Sequence, residues 1–551
     1  NHRTGQEQIY WVGARDLYGH DPKELLNRFQ RVAPIHVSPH SARTVYHASQ
    51  YLYRTTDEGK SWVRISPDLT ANSPIGQVPS GAPITRDITG EEYYSTIYSV
   101  RESPLEPGAI LVGANDGPVH LTRNGGLRWH NVTPPDLPPG GRIQNVEWSP
   151  HRRGKAYFAA YRYLLGDWQP YLYRTADYGA TWTRLTTGAN GIPADVPTRV
   201  VREDPSREGL LYAGTEFGLF ISFDDGSSWQ SFQQNLPITP VTDLVVHRKD
   251  LVISTMGRSF WILDELSPLH QLPVALGRSG APGHLFAPRD ALRLRHAAAG
   301  GFGLGTGERE PGDPQYPAPG MDFDYLLERE PSGPVTLEVL DAAGKVLRRF
   351  SSEATGERDQ LPANPGMRGF VLETVGTPRL PKAAGHHRFR WDFALPGPWD
   401  SNPDRSGRRG PWVTPGSYQV RLTVGDWTAT RRFRVVPDPR IVRDGVTQLD
   451  LEAQLRTALA VRDLVSEVRL LAQQVAEGRR KTDSPALAAL AAKLTAETTR
   501  YPTPRLVEQT VFLYGMTNQA DQRLGKDVLD RLAELRRMIT AAQREFEAAR
   551  R

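Results

Sequence analysis

Along the first 270 positions apolar residues come in short runs bounded by Pro and Gly. Over the last hundred they step by threes and fours. The first pattern predicts short strands in a turn-rich meander. The second predicts long helices, each with one apolar stripe. The strand region is itself periodic. Val37-Ser38-Pro39-His40 leads to the run Thr44-Val45-Tyr46-His47-Ala48, and Val100-Arg101-Glu102-Ser103-Pro104 leads to Ala109-Ile110-Leu111-Val112-Gly113. Val146-Glu147-Trp148-Ser149-Pro150-His151 leads to Ala156-Tyr157-Phe158-Ala159-Ala160. Val200-Val201-Arg202-Glu203-Asp204-Pro205 leads to Leu210-Leu211-Tyr212-Ala213-Gly214.

Each unit ends in a related phrase. It reads Thr55-Thr56-Asp57-Glu58-Gly59-Lys60-Ser61-Trp62, then Thr122-Arg123-Asn124-Gly125-Gly126-Leu127-Arg128-Trp129 in worn form. It returns as Thr175-Ala176-Asp177-Tyr178-Gly179-Ala180-Thr181-Trp182 and Ser222-Phe223-Asp224-Asp225-Gly226-Ser227-Ser228-Trp229. The chemistry is that of a hairpin turn. Asp57, Asn124, Asp177 and Asp224 can accept from the turn's own N–H groups. Gly59, Gly126, Gly179 and Gly226 permit a positive φ. Trp62, Trp129, Trp182 and Trp229 open the outgoing strands and can bury their rings between sheets. These residues are expected to be structural, with the acids at hairpin tips and the tryptophans buried between blades. From the Pro of each unit to its Asp or Asn the interval is 18, 20, 27 and 19 residues, so the third unit holds an insertion near Leu165-Gly166-Asp167-Trp168. Strand, Pro loop, strand, Gly turn, strand, Asp turn, strand makes one four-stranded propeller blade. A fifth unit, 241–264, ends Gly257-Arg258-Ser259-Phe260-Trp261-Ile262-Leu263-Asp264 and lacks the turn phrase.

These turns, known as Asp-boxes, together with the Ser-Pro-His loops and the Gly-Arg-Ser-Phe-Trp-Ile-Leu-Asp ending, resemble the bacterial neuraminidase-repeat propellers. The likeness is greatest to the large bacterial proteins labelled "glycosyl hydrolase" or sortilin-like. It covers residues 1–270 most strongly. The Asp-box occurs in sialidases, xyloglucanases and sortilin-type receptors alike, so it marks the fold and not an activity. In that family several more blades precede this point. Glu7-Gln8-Ile9-Tyr10-Trp11-Val12 reads as a strand already under way. The resemblance therefore implies further N-terminal blades, from the same precursor or a separate chain. Residues 31–265 are expected not to close a ring alone and to leave an open strand edge on the first blade.

Beyond the repeats, 271–320 reads as a Pro/Gly-rich linker, with His284-Leu285-Phe286 adding an edge strand. Residues 321–440 predict a small antiparallel sandwich of immunoglobulin-like type, with strands over 322–327, 335–340, 346–350, 388–393, 418–424 and 427–436. Residues 441–551 predict a helical domain. Its stripes are Ala458, Val461, Val465, Val468, Ala472 and Val475, then Leu524, Val528, Leu532, Leu535, Ile539, Ala542 and Phe546, with a shorter helix over 485–499. Stripes of about four heptads suit a helical hairpin better than a coiled coil, although they leave room for a homo-oligomer through these helices. The fold class is thus mainly β: propeller blades, a sandwich, then a helical hairpin or bundle.

Composition narrows the chemistry. With no cysteine among 551 residues, disulfides, thiolate metal sites and cysteine nucleophiles are excluded. A net charge of +5 spread over dispersed Arg gives no nucleic-acid footprint. No apolar run reaches the roughly 18 residues that span a membrane. The His residues do not fall at metal-ligand spacings, so neither metal nor cofactor is expected. A sialidase would carry an arginine triad, a Tyr–Glu pair and an Arg-Ile-Pro motif, and the motif is absent. A glycosidase needs two carboxylates across a cleft. Glu91, Glu92, Asp116 and Glu216 are the catalytic candidates, with Asp264 and Glu265 also near strand ends. Tyr93, Tyr94 and Arg258 are the ligand-binding candidates. Gly90-Glu91-Glu92-Tyr93-Tyr94-Ser95-Thr96-Ile97-Tyr98 is expected as a channel-lining first strand. Two functions follow: an extracellular or periplasmic scaffold or receptor binding peptides, proteins or glycans, or a glycoside hydrolase.

Overall fold

Five antiparallel sheets follow one another through the first of two units, residues 1–266 and 267–551. The computed structural model describes residues 4–7, 12, 19–89, 93–277, 280–295, 319–353, 356–358, 375–377, 379–403, 406–408, 410–496 and 502–550. The first four sheets are four-stranded meanders in which sequence neighbours pair. They run Ile35–Val37 to Val63–Arg64, Ile97–Glu102 to His130–Asn131, Arg142–Trp148 to Thr183–Arg184, and Thr198–Glu203 to Gln230–Ser231. The fifth has three strands, Val241–His247, Asp250–Thr255 and Phe260–Leu263. The first strand of each sheet packs against the first strand of the next, so the sheets fan out like propeller blades.

The reason is burial on both faces. Every residue of Ile110–Ala114 and Leu211–Thr215 is buried. Such strands need a sheet on each side. Apolar clusters fill the gaps: Tyr46, Ala48 and Leu52 meet Ile97, Val100, Ile110 and Val112 between the first two sheets. Leu111, Val119 and Leu121 meet Ile143, Val146 and Phe158 between the next two. In the first and fifth sheets some apolar positions stay uncovered. Ile35 and Val37 of the first sheet are exposed, as are Val245, Phe260 and Ile262 of the fifth. Phe29 stacks on His47 and Tyr53 of the first sheet at 5.1 and 6.3 Å, so its outer face is covered there and open at Ile35 and Val37; the repeat pattern predicts an open edge.

The expected strand around residues 90–98 begins later, at Ile97. Residues 93–96 form a loop with Ser95 at φ +58°. Asn115 clamps it, its Nδ2 donating to the Tyr93 carbonyl at 2.8 Å and its Oδ1 accepting from Thr96 N at 2.9 Å. A side chain thus takes the place of the ladder there. Residues 90–92, including Glu91 and Glu92, lie outside the described residues.

In the second unit a sheet of Gly283–Leu285, Met321–Leu327 and Gly385–Trp391 shares one core with a five-stranded sheet. The latter runs in order Ala291–Arg293, Trp427–Pro437, Gly416–Val424, Val335–Asp341, Val346–Ser351. It is not antiparallel throughout: Ala291–Arg293 pairs parallel with Trp427–Pro437. That strand comes from the stretch read as linker, as does Gly283–Leu285, and helix Ser267–Leu276 runs into the same stretch. The C-terminal region is helical. A capping box of Thr447 and Asp450 starts Gln448–Lys481, and Pro485–Leu494, Leu506–Asn518 and Lys526–Arg550 share its core. No helix among the described residues is long and apolar enough to cross a membrane.

Candidate functional site

The Asp-box turns are the most repeated geometry in the chain. Gly59 N donates to Thr55 Oγ1 at 2.9 Å, Ser61 N to Asp57 Oδ1 at 2.9 Å, and Ser61 Oγ to Asp57 Oδ2 at 2.6 Å. The bonds at Thr175, Asp177, Gly179 and Thr181 are 2.9, 2.8 and 2.6 Å, and those at Ser222, Asp224, Gly226 and Ser228 are the same. Asn124 keeps the backbone bond, from Arg128 N at 2.9 Å, but has no hydroxyl partner at 128. Hydrogen bonds from Ser61 and Thr55 hold the Asp57 carboxyl down at about 2. Fully engaged and held ionised, these acids are poorly placed for proton transfer. Gly226 sits at φ +85°, and a Cβ there would lie 2.7 Å from Leu185 of the preceding sheet.

The tryptophans reach backwards. The indole N–H groups of Trp129, Trp182 and Trp229 donate to the carbonyls of Ile65, Val132 and Leu185 at 2.9, 2.6 and 3.0 Å, each just past the outer strand of the preceding sheet. Trp229 is 4% exposed, whereas Trp62, Trp129 and Trp182 are half-buried. Trp62 Nε1 is buried with no acceptor among the described residues.

At the end of the fan where the first strands begin lies a cavity of about 280 Å³. Tyr93, Tyr94, Asn115, Gly140, Arg142, Tyr161, Arg162, Leu164 and Leu165 line it. Tyr93 and Asn115 come from the clamped loop, and Tyr94 Oη donates to the Gly140 carbonyl at 2.9 Å, tying the second sheet to the third. Arg142 lies over the rings of Tyr98 and Tyr161, 4.5 and 5.5 Å from their centroids, and donates to Tyr161 Oη at 2.8 Å. Burial pushes the Tyr161 phenol up to about 12 against the pull of Arg142 and Arg199, so it stays neutral. Arg162 pairs with Asp167 at 2.9 Å, and Arg199 with Glu216 at 2.6 Å. From Tyr161 a pile of rings continues to Tyr163 at 4.9 Å and on to Trp168 at 5.7 Å.

Deeper along the first strands runs a row of charge. Arg202 is bound on both sides, to Glu147 at 2.7 Å and Asp243 at 2.8 Å, and Arg101 lies 3.7 Å from Glu147. His36 occupies the same repeat position in the first sheet. Burial, Arg101 and Arg202 lower it to about 4.

Of the candidates named from sequence, Tyr93 and Tyr94 meet at this cavity. Asp116 stands behind it, 3% exposed, accepting from Ala71 N at 2.9 Å and Asn72 N at 3.2 Å. Burial pushes its carboxyl up against those bonds. Glu216 is committed to Arg199. Glu265 is buried at φ +66°, its N–H bonded to Asp250. Arg258 is exposed in the fifth sheet's turn, where its carbonyl accepts from Trp261 Nε1 at 2.8 Å. It does not line the cavity. Arg142, Tyr161, Arg162, Tyr163 and Trp168 were missed as site residues. The signal for all but Arg142 was the long third interval, whose added residues carry Tyr161-Arg162-Tyr163 and Trp168. No group of three or more metal-ligating side chains occurs among the described residues.

No family model matches this chain, and no curated protein does. Similar solved structures include the GH74 xyloglucanase from Xanthomonas campestris, 15% identical, aligned over 70% of this chain and 62% of that one at a TM-score of 0.33. PorZ, a surface component of the type-IX secretion system of Porphyromonas gingivalis, is 14% identical over 73% of this chain and 51% of that one, at 0.33. YCF48 bound to D1 peptide is 13% identical over 40% of this chain and 75% of that one, at 0.22. The chain spans less than two thirds of the xyloglucanase and of PorZ. At these scores none of the three assigns a role to a residue here.

Proposed function

We propose that this chain is an exported, sortilin-like propeller protein of scaffold or receptor type that binds peptides or glycans. It acts outside the cell or in the periplasm, and the sandwich that follows the propeller in sequence is immunoglobulin-like. The observation that carries the reading is the cavity of Tyr93, Tyr94, Arg142 and Tyr161: an aromatic wall with convergent polar groups is the usual form of a ligand site. The alternative, a glycoside hydrolase with paired carboxylates in the cleft, draws little support from the described acids. Asp116 is enclosed by backbone N–H groups and Glu216 by Arg199. Further blades belong to the same reading. Exposed Ile35 and Val37, with the unmatched Trp62 N–H, support a preceding sheet packed on the first.

A binding screen of glycans and peptides by calorimetry, paired with a reducing-end assay, tests the reading. Retention of a ligand that Tyr94→Ala weakens, without release of reducing ends, is the expected result. Sustained release of reducing ends from any glycan would favour the hydrolase.

A further inference from the structure

We propose that this face selects acidic polysaccharides. Arg142 would receive a uronate carboxylate, and the ring pile ending at Trp168 would stack on a neighbouring sugar. The inference rests on the binding reading above and narrows its ligand class.

Three arginines stand on this face, and two are neutralised: Arg162 by Asp167 and Arg199 by Glu216. Arg142 has phenols instead, Tyr161 Oη at 2.8 Å and Tyr98 Oη at 3.4 Å, and no carboxylate among the described residues. Phenols orient a guanidinium without cancelling its charge. Among the described residues a positive charge is therefore left at the wall of a cavity, with planar donors suited to a carboxylate. Tyr161 and Tyr163 are stacked at 4.9 Å, Trp168 packs against Tyr163 at 5.7 Å with its plane tilted by 40°, and this last ring is 48% exposed. The hairpin that holds it is braced, because Asp167 accepts from Arg162 Nε at 2.9 Å, Tyr171 Oη at 2.7 Å and Gln169 N at 3.1 Å. A large exposed ring on a rigid support is ready to stack at little entropic cost. A flat C–H face, a rim of hydroxyls and one carboxylate per residue describe a uronic acid chain. An acidic peptide matches the cation but supplies no such face.

The test is calorimetry on the full chain with galacturonate oligomers, the same oligomers methyl-esterified, neutral xyloglucan oligomers and an acidic peptide. The free-acid oligomer should bind, more weakly as salt rises. Esterification, which removes charge without touching the protein, should weaken binding at least about tenfold, the scale of one charge-assisted hydrogen bond. Arg142→Gln should do the same and Arg142→Lys less. Trp168→Ala should weaken binding several-fold with Tm unchanged. If the ester or xyloglucan binds as tightly as the free acid, or only the peptide binds, acid selection is overturned while a binding face stands. If nothing binds, both readings fall. Esterification does not depend on any variant folding.

Discussion

The first and fourth sheets carry the same turn and live in different surroundings. Their Asp-box bonds agree within 0.1 Å. Yet every residue of Thr198–Glu203 is buried, while Ile35 is 67% exposed. Trp229 is enclosed and bonded to the Leu185 carbonyl, whereas Trp62 has no acceptor among the described residues. At one repeat position Arg202 has carboxylates on both sides, whereas His36 is lowered by burial and by the charges of Arg101 and Arg202. The turn is local: all its partners lie within a few residues. Burial of the strand, bonding of the indole and the charge at the inner position are made by neighbours, and among the described residues the first sheet has one neighbouring sheet instead of two.

The largest break should come from the tryptophans. Trp229→Ala removes an enclosed ring and should cost about 3–5 kcal/mol by urea unfolding. Trp62→Ala should cost no more than about half as much. Equal losses would mean that the first sheet is as well covered as the fourth.

Acid comes next. His36 and His120 are each lowered to about 4 from 6.5, chiefly by burial. Their folded values lie below the unfolded ones, so the unfolded chain takes the proton first. Their contribution is whole above about pH 6.5 and is lost as pH falls toward 4, by up to about 3 kcal/mol for each group. Arg202, at the position of His36, does not titrate in this window. His36→Asn should therefore flatten stability between pH 6.5 and 5, and an unaltered slope would contradict a buried neutral His36.

The same distinction explains what could be read in the chain. Local rules sufficed for a mainly β first half and a helical end, because strand runs and the stripes of Gln448–Lys481 and Lys526–Arg550 are visible in sequence. Helix Leu506–Asn518 was not visible as a separate element. Its buried face is Leu506, Thr510, Leu513, Tyr514 and Thr517, with two threonines in the stripe and Phe512 exposed. The parallel partner of Ala291–Arg293 lies more than a hundred residues away. For the site, Tyr93 and Tyr94 stood out as a pair. Arg142 did not, because its meaning depends on Tyr98 and Tyr161 arriving from two other strands and on its having no carboxylate.

A smaller effect should be uniform along the array. Asp224→Ala removes the acceptor of Ser222 Oγ, Ser228 N and Ser228 Oγ and should cost about 2 kcal/mol. Asp57→Ala should lower Tm as far, since its bonds are just as local. A much smaller effect at Asp57 would show that even the turn depends on the neighbouring sheet.

The smallest change is also the sharpest. Phenylalanine in place of tryptophan keeps most of the apolar ring and deletes the N–H. At 229 that deletion removes one of two donors to the Leu185 carbonyl, which keeps Asn190 Nδ2 at 2.9 Å, so Trp229→Phe should cost about 1 kcal/mol, the worth of one hydrogen bond inside the interface. At 62 no acceptor among the described residues loses a donor. The wild-type indole N–H is itself the unsatisfied group, and replacing it by carbon removes a buried polar atom that nothing compensates. Trp62→Phe should then leave stability unchanged or raise it slightly by urea unfolding of the isolated chain. The sign is the diagnostic. A loss at 62 equal to that at 229 would mean that Trp62 already has an acceptor in solution, and the contrast between the two sheets would fail at its most specific point. If the gain seen with the isolated chain turns into a loss when a preceding sheet is supplied, the indole has found its carbonyl there.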